Sequence, residues 1–192
     1  MDMNIKVPEI QLNKRCAVLT AYDIAGVLIA ALVSFVLIVG FLFRVVGVTG
    51  DSMNPTLYEG ERLLLAEYMN EFERGDIVVI DRYTDEPLIK RVIAVGGDKV
   101  NIVQTIDGYS VLVNGQTQYE SYIQGTTVMN DFDGEITVPN GYYFVLGDNR
   151  TISKDSRMDE IGLIDEGDVV GKAMYCVWPL SSFGSIYESS ES

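Results

Sequence analysis

Histidine is absent from all 192 residues. Neither a Ser-His-Asp triad nor a histidine-ligated metal centre can be built, so hydrolytic chemistry would need another base. Positive charge is also scarce, with 14 Lys and Arg against 28 Asp and Glu and a formal net charge of −14. That balance points away from nucleic acid, whose binders need clustered cations to release counterions. Cysteine occurs twice, at Cys16 and Cys176 on opposite sides of a long apolar segment. A disulfide needs α-carbons within about 7 Å, so no internal bridge is expected. Cys176, followed by Val177 and Trp178, reads as a small core residue, since no histidine is present to form its thiolate. What remains is ordinary for a globular chain, at 47% apolar residues, with room for one domain and a short appendage.

Residues 24–43 run without a charge, and Ser34 is their only hydroxyl. As a helix rising about 1.5 Å per residue they reach about 30 Å, the thickness of a bilayer core. Lys6, Lys14 and Arg15 precede the segment and Arg44 follows it, so the positive-inside rule keeps the N-terminus cytoplasmic. A cleaved secretory signal has an apolar region of about 7–15 residues ending in small residues, which Phe41-Leu42-Phe43-Arg44 does not offer; a retained anchor fits better.

Beyond Arg44 the chain breaks into short β-rich runs bounded by Gly, Asp, Asn or Pro, at 76–80, 99–103, 109–113 and 141–146. Asp107-Gly108 and Asn114-Gly115 each supply the positive backbone angles of a tight hairpin turn. The expected organisation is a cytoplasmic segment 1–23, a transmembrane helix 24–43, an extracytoplasmic domain 44–187 and a disordered tail 188–192. The outer domain is expected to be mainly β, a compact antiparallel sheet or partly closed barrel. From residue 45 onward 10 Lys and Arg face 25 Asp and Glu, a charge of −15 that keeps this part soluble beside a membrane.

Three constellations could carry chemistry. In Gly50-Asp51-Ser52-Met53-Asn54-Pro55-Thr56-Leu57, glycine permits an unusual backbone angle and Asn54-Pro55 favours a turn, which sets Ser52 on a tight bend. On this segment alone, a turn serine or helix cap is the better account, because Asp, Ser, Asn and Pro are the usual turn residues whatever the function. Leu88 to Val95 alternates as a strand, with Lys90 on the face of Leu88, Val92 and Ala94, and Arg91 on the face of Ile89, Ile93 and Val95. Alternation does not choose between the two cations. Chemistry favours Lys90, because a guanidinium does not deprotonate in proteins whereas a buried ammonium can. An ordinary lysine is free base only about 0.4% of the time at pH 8, so a lysine base needs its pKa depressed by roughly two units, as burial can do. The third segment runs from Gly147 to Arg157 after an apolar strand; as a polar loop it needs no function, but Asp155 and Arg157 have a spacing suited to an ion pair on one strand face.

Taken in order, these pieces together with Arg74-Gly75-Asp76-Ile77-Val78 and Gly97-Asp98-Lys99 resemble type I signal peptidases over about residues 20–175. The resemblance implies a membrane-bound serine endopeptidase that removes signal peptides from secreted preproteins, with Ser52 as nucleophile and Lys90 as general base. It further implies Ser153 as the hydroxyl that orients the base, Asp155 and Arg157 as a supporting salt bridge, and Asp148 as a structural acid near the site. Val48, Met53, Val79 and Ile89 are the residues the resemblance suggests for shallow pockets taking the small residues before the cleavage point; ordinary core packing is the other reading. No metal or organic cofactor is implied, and the implied partners are signal peptides, the lipid bilayer and, by proximity, the export channel. Some bacterial members carry a serine where this chain has Gly50, so the Ser52 N–H would carry more of the oxyanion's stabilisation. Thr151-Ile152 also departs from the acidic or amide residues frequent there. The short stretch between Val95 and Gly141 implies the compact form common in Gram-positive bacteria.

The distance from Phe43 to Ser52 is nine residues, roughly 30 Å at full extension, which would tether the nucleophile near the membrane. A self-cleaving repressor-type peptidase uses the same Ser-Lys pair but carries a DNA-binding part that an acidic, anchored chain lacks. A noncatalytic membrane-tethered β module is the alternative from a different class.

Overall fold

Apolarity dictates the first element. The computed structural model describes residues 9–66, 71–81, 86–106 and 108–187, with side chains from Thr20 onward. Helix α1 runs Glu9–Leu42. No proline falls between Pro8 and Pro55, so nothing in the sequence interrupts its hydrogen bonding. The stretch Thr20–Leu42, 23 residues, is long and apolar enough to cross a bilayer, and its side chains are exposed nearly all round. Helix formation starts well before the expected segment 24–43, because polar residues with good helix propensity continue the same hydrogen bonding, and it ends at Leu42, one residue early. Residues 1–8, Asp107 and the tail 188–192 lie outside the described residues.

The chain from Phe43 forms a second compact unit, whose regular elements among the described residues are strands and two single-turn 3-10 helices. In order the strands are β1 (Phe43–Gly47), β2 (Arg62–Ala66), β3 (Ile77–Ile80), β4 (Leu88–Ala94), β5 (Lys99–Thr105), β6 (Gly108–Val113), β7 (Gln116–Thr117), β8 (Glu135–Thr137), β9 (Tyr142–Leu146), β10 (Ile164–Asp165), β11 (Val169–Trp178) and β12 (Gly184–Ser185). One antiparallel sheet has the order β1-β2-β11-β3-β4-β9-β10, with β12 on β11, and a second has the order β7-β6-β5-β8. The unit is mainly β, as the short alternating runs led one to expect. The stretch between Val95 and Gly141 makes the second sheet, with a core of its own around Val100, Val111 and Phe132 against Phe144 and Leu146.

Turn chemistry explains the local pairing. Asn114 and Gly115 both have positive φ, 54° and 77°, and join β6 to β7 with Val113 opposite Gln116. In the preceding hairpin Gly108 keeps positive φ, +125°, but it stands opposite Thr105 as the first residue of β6, one place beyond where an Asp107-Gly108 turn centre would put it. Asp98 clamps three turns at once. Its carboxylate takes a two-pronged grip from Arg74, a bond from the Val95 N–H at 2.9 Å and one from Asn114 Nδ2 at 3.0 Å. The short motifs around residues 74–76 and 97–99 are therefore two halves of one structural joint. In the main sheet β4 is buried along nearly its whole length, so both of its faces are covered and the strict alternation expected of a half-exposed strand is lost. A register shift between Val92 and Ala94 against β9 adds to this.

Candidate active site

Residues 50–57 turn tightly between β1 and β2. Gly50 has φ +76°, a conformation that favours glycine. The Asn54 N–H donates to Asp51 O at 3.2 Å and the Leu57 N–H to Met53 O at 3.0 Å. Met53 and Leu57 are buried in the core beside Leu63 and Leu65, which pins the turn from below. Ser52 stays half-buried at its crest. The turn reading and the chemical reading of this segment are thus compatible, because the turn is what presents the hydroxyl.

Strand β4 delivers Lys90 to that hydroxyl. Nζ donates to Ser52 Oγ at 2.8 Å and to the Ile89 carbonyl at 2.9 Å, and the residue is 2% exposed. Burial pushes the ammonium down from its ordinary 10.5 to about 8, against the pull of the Asp155 and Asp148 carboxylates. At pH 8 roughly half of such lysines carry a free lone pair next to a serine hydroxyl, against well under one per cent for an ordinary lysine. The arrangement can accept a proton from Ser52 as its oxygen becomes a nucleophile.

Arg91 is buried as well but has a different partner. Nε and Nη2 fork onto Asp148 at 2.9 and 2.6 Å, Nη1 donates to Gly75 O at 2.9 Å, and the guanidinium lies 4.0 Å from the centre of the Tyr122 ring. Thr56 Oγ1 donates to Asp148 too, so Asp148 links the serine turn to β4. Asp155 and Arg157 form a two-pronged pair, both bonds 2.8 Å and both side chains without exposure. The pair sits on irregular backbone and not on a strand face, so its two-residue spacing works through a turn. Asp155 also accepts the Gly147 N–H at 3.0 Å, and Arg157 donates to the carbonyls of Val128 and Arg150 at 2.9 Å each. Ser153 Oγ is buried without a hydrogen-bond partner among the described residues. A Cβ built on Gly147 would lie 2.2 Å from that oxygen and 2.5 Å from Ser52 O, so the Ser153 hydroxyl and the Ser52 backbone border the same small space.

Val48, Met53, Val79 and Ile89 come together in one buried cluster with Leu57 and Ala173. They are packed as core. A cavity of about 850 Å³ takes walls from Pro55, Thr56, Arg91, Tyr122, Lys172 and Tyr187, and from none of those four. Cys176 belongs to the same core cluster as a free thiol, and burial raises its pKa. Four residues near the serine were not singled out from sequence: Arg91 as the partner of Asp148, Asn149, whose N–H donates to Ser52 O at 3.0 Å, and the buried Arg150–Glu120 pair. Asn149 and Arg150 stood inside a motif already in view. Glu120 carries no local signal.

The family model described as "Signal peptidase, peptidase S26" matches residues 21–178. A signal peptidase I of Bacillus licheniformis is 39% identical over 169 residues, 80% of this chain and 87% of that protein. A signal peptidase IB of Staphylococcus aureus is 37% identical over 178 residues, covering 81% and 90% respectively. A solved signal peptidase I structure from Enterococcus faecalis is 26% identical, with a TM-score of 0.42 over 53% of this chain and 96% of that one.

Proposed function

The chain belongs to the peptidase S26 family of signal peptidases, and from that premise we propose that it removes signal peptides from secreted preproteins as a membrane-anchored endopeptidase, with Ser52 as nucleophile and Lys90 as general base. The observation that carries the mechanism is the 2.8 Å contact between a buried lysine nitrogen and a serine oxygen in a chain without histidine.

Neutral Lys90 takes the Ser52 proton as Oγ attacks the scissile carbonyl carbon, and the developing oxyanion is met by backbone N–H groups, that of Ser52 among them. The Lys90 ammonium then protonates the leaving amine, releasing the mature protein and leaving the signal peptide as an ester on Ser52. Water, deprotonated by the same lysine, hydrolyses that ester and restores the hydroxyl. Two of the three ammonium N–H groups are engaged, by Ser52 and Ile89. The buried, unpartnered Ser153 hydroxyl suits the role of holding the third during turnover. We assign the small residues before the cleavage point to the apolar cluster of Val48, Met53, Val79 and Ile89, which includes the sequence neighbours of Ser52 and Lys90. In this reading the apolar helix crosses the membrane, its N-terminal flank is cytoplasmic, and the β unit works outside, close to where preproteins emerge from the export channel.

Purified full-length protein mixed with a preprotein should yield one defined product. Ser52→Ala and Lys90→Ala should each lower cleavage by about 10⁴-fold or more while the domain still melts cooperatively; near-normal cleavage by either would overturn the dyad. In intact cells, external protease should degrade the β unit and spare the N-terminus, and the reverse pattern would overturn the orientation.

A further inference from the structure

The segment between β7 and β8 has little regular structure, yet it grips the loop that follows β9 at several points. Both carboxylate oxygens of Glu120 engage the two Nη atoms of Arg150, with side-chain exposures of 7% and 0%. Arg150 also donates to Thr127 Oγ1 at 3.1 Å and, through Nε, to Gly147 O at 3.2 Å. The Gln124 N–H donates to Asp148 O at 2.8 Å, and the Arg150 N–H returns a bond to Gln124 O at 3.0 Å, so Gln124 lies against Asn149 as a short parallel bridge. Asn149 in turn holds the serine turn: its N–H donates to Ser52 O, and its Nδ2 to Asp51 O at 3.2 Å. A chain of contacts therefore leads from Gln124, bonded to both neighbours of Asn149, through Asn149 to the backbone of Asp51 and Ser52.

From this chain we infer that residues 120–127 are a brace that sets the position of the Ser52 turn, with Glu120 as its positioning residue. The inference rests on the reading of Ser52 as nucleophile. A buried ion pair adds little net stability, because desolvating both charges offsets most of their attraction. What the Glu120–Arg150 pair does supply is a fixed direction, since a carboxylate and a guanidinium meet in one planar geometry. It anchors one end of the segment, and close packing anchors the other. Gly125 has φ +75°, and a Cβ there would lie 2.2 Å from Thr151 Oγ1, so the brace seats closely against the Thr151 side chain at that point. Tyr122, whose hydroxyl donates to Glu120 Oε1 at 3.2 Å, lies beneath Arg91, so the same segment also backs the guanidinium that holds Asp148.

The test is kinetic, on the full chain with a preprotein. Small displacements of a reacting group can cost up to about 10²-fold in rate. Glu120→Gln, which keeps the shape and removes the charge, is expected to lower kcat about tenfold with KM within about twofold, and Gly125→Ala to do the same. Adding Thr151→Ala to Gly125→Ala removes the clashing oxygen and should recover most of the lost kcat, which general loosening of the domain would not allow. The inference is overturned if both single variants keep kcat within about twofold of the parent, if KM rises in step with the loss, or if the double variant recovers nothing. A parent that does not cleave, or a Ser52→Ala variant that does, would overturn the nucleophile reading and the brace with it. A cleaving parent beside unaffected brace variants overturns the brace alone.

Discussion

Lys90→Met is expected to inactivate the protein and stabilise it together. Burial holds the Lys90 pKa at about 8 against an ordinary 10.5, and at about 1.36 kcal/mol per unit that gap corresponds to roughly 3 kcal/mol of destabilisation. Proton counts give the sign. Below pH 8 folded and unfolded chains both hold the proton, and the whole burial penalty is present. Between about pH 8 and 10.5 the folded protein has released its proton while the unfolded chain keeps it, so stability rises with pH through that window. Methionine has a similar length and no charge, and losing the bonds to Ser52 Oγ and Ile89 O costs about 1 kcal/mol each. The net gain at pH 7 is then about 1 kcal/mol, or about 2–4 °C in Tm for a unit of this size. Thermal unfolding of the full chain, followed by near-UV circular dichroism at pH 7, 9 and 10.5, measures it. A methionine variant less stable than the parent at pH 7, or a difference that does not shrink as pH rises, would refute the picture of a desolvated ammonium.

The same titration governs rate: kcat/KM for preprotein cleavage should climb about tenfold per pH unit up to about pH 8 and level off above it. Lys90→Arg should remain inactive throughout a scan from pH 6 to 9, since its charge cannot be shed; measurable turnover there would exclude a base at this position. Arg157→Met leaves the buried Asp155 carboxylate without its guanidinium. Stability should fall by about 3–5 kcal/mol in thermal unfolding, and in the fraction that stays folded the rising limb of the pH–rate profile should move above pH 8, because Asp155 is the foremost charge holding the proton on Lys90. A limb that stays near pH 8 would contradict this. Gly147→Ala puts a Cβ 2.2 Å from Ser153 Oγ and 2.5 Å from Ser52 O, so cleavage should drop about 10²-fold at temperatures where the domain remains folded; parent-like rates would show that the loop yields without disturbing the serine.

The features legible in the sequence are those that local chemistry decides. Asn114-Gly115 specifies its turn because both residues tolerate positive φ, and β5, β6 and β9 stand out as apolar runs cut off by turn residues. Strand β11 carries no such signal, although it is the longest at 10 residues and lies beside β2 and β3. Register shifts between Ala173 and Tyr175 and between Cys176 and Trp178 interrupt its period of two, and Gly171 and Lys172 blur its apolar signal. Strand β2 is equally silent, because Leu63, Leu64 and Leu65 run together without alternation.

The site divides along the same line. Ser52 and Lys90 could be proposed from turn chemistry and from the missing histidine, but the charge pattern around the lysine lies in contacts no local window contains. Arg91 takes Asp148 from 57 residues away, and Arg150 takes Glu120 from 30. Arg157 takes Asp155. A guanidinium does not give up its proton in a protein, so each buried arginine must hold an acid. Among the described residues Lys90 instead bonds to two neutral oxygens, Ser52 Oγ and Ile89 O. Had Asp148 or Asp155 been left without an arginine, that carboxylate would have been the natural partner for the ammonium and would have kept it charged. By occupying the acids, the arginines leave burial as the dominant influence on the lysine, and burial brings its pKa down to about 8.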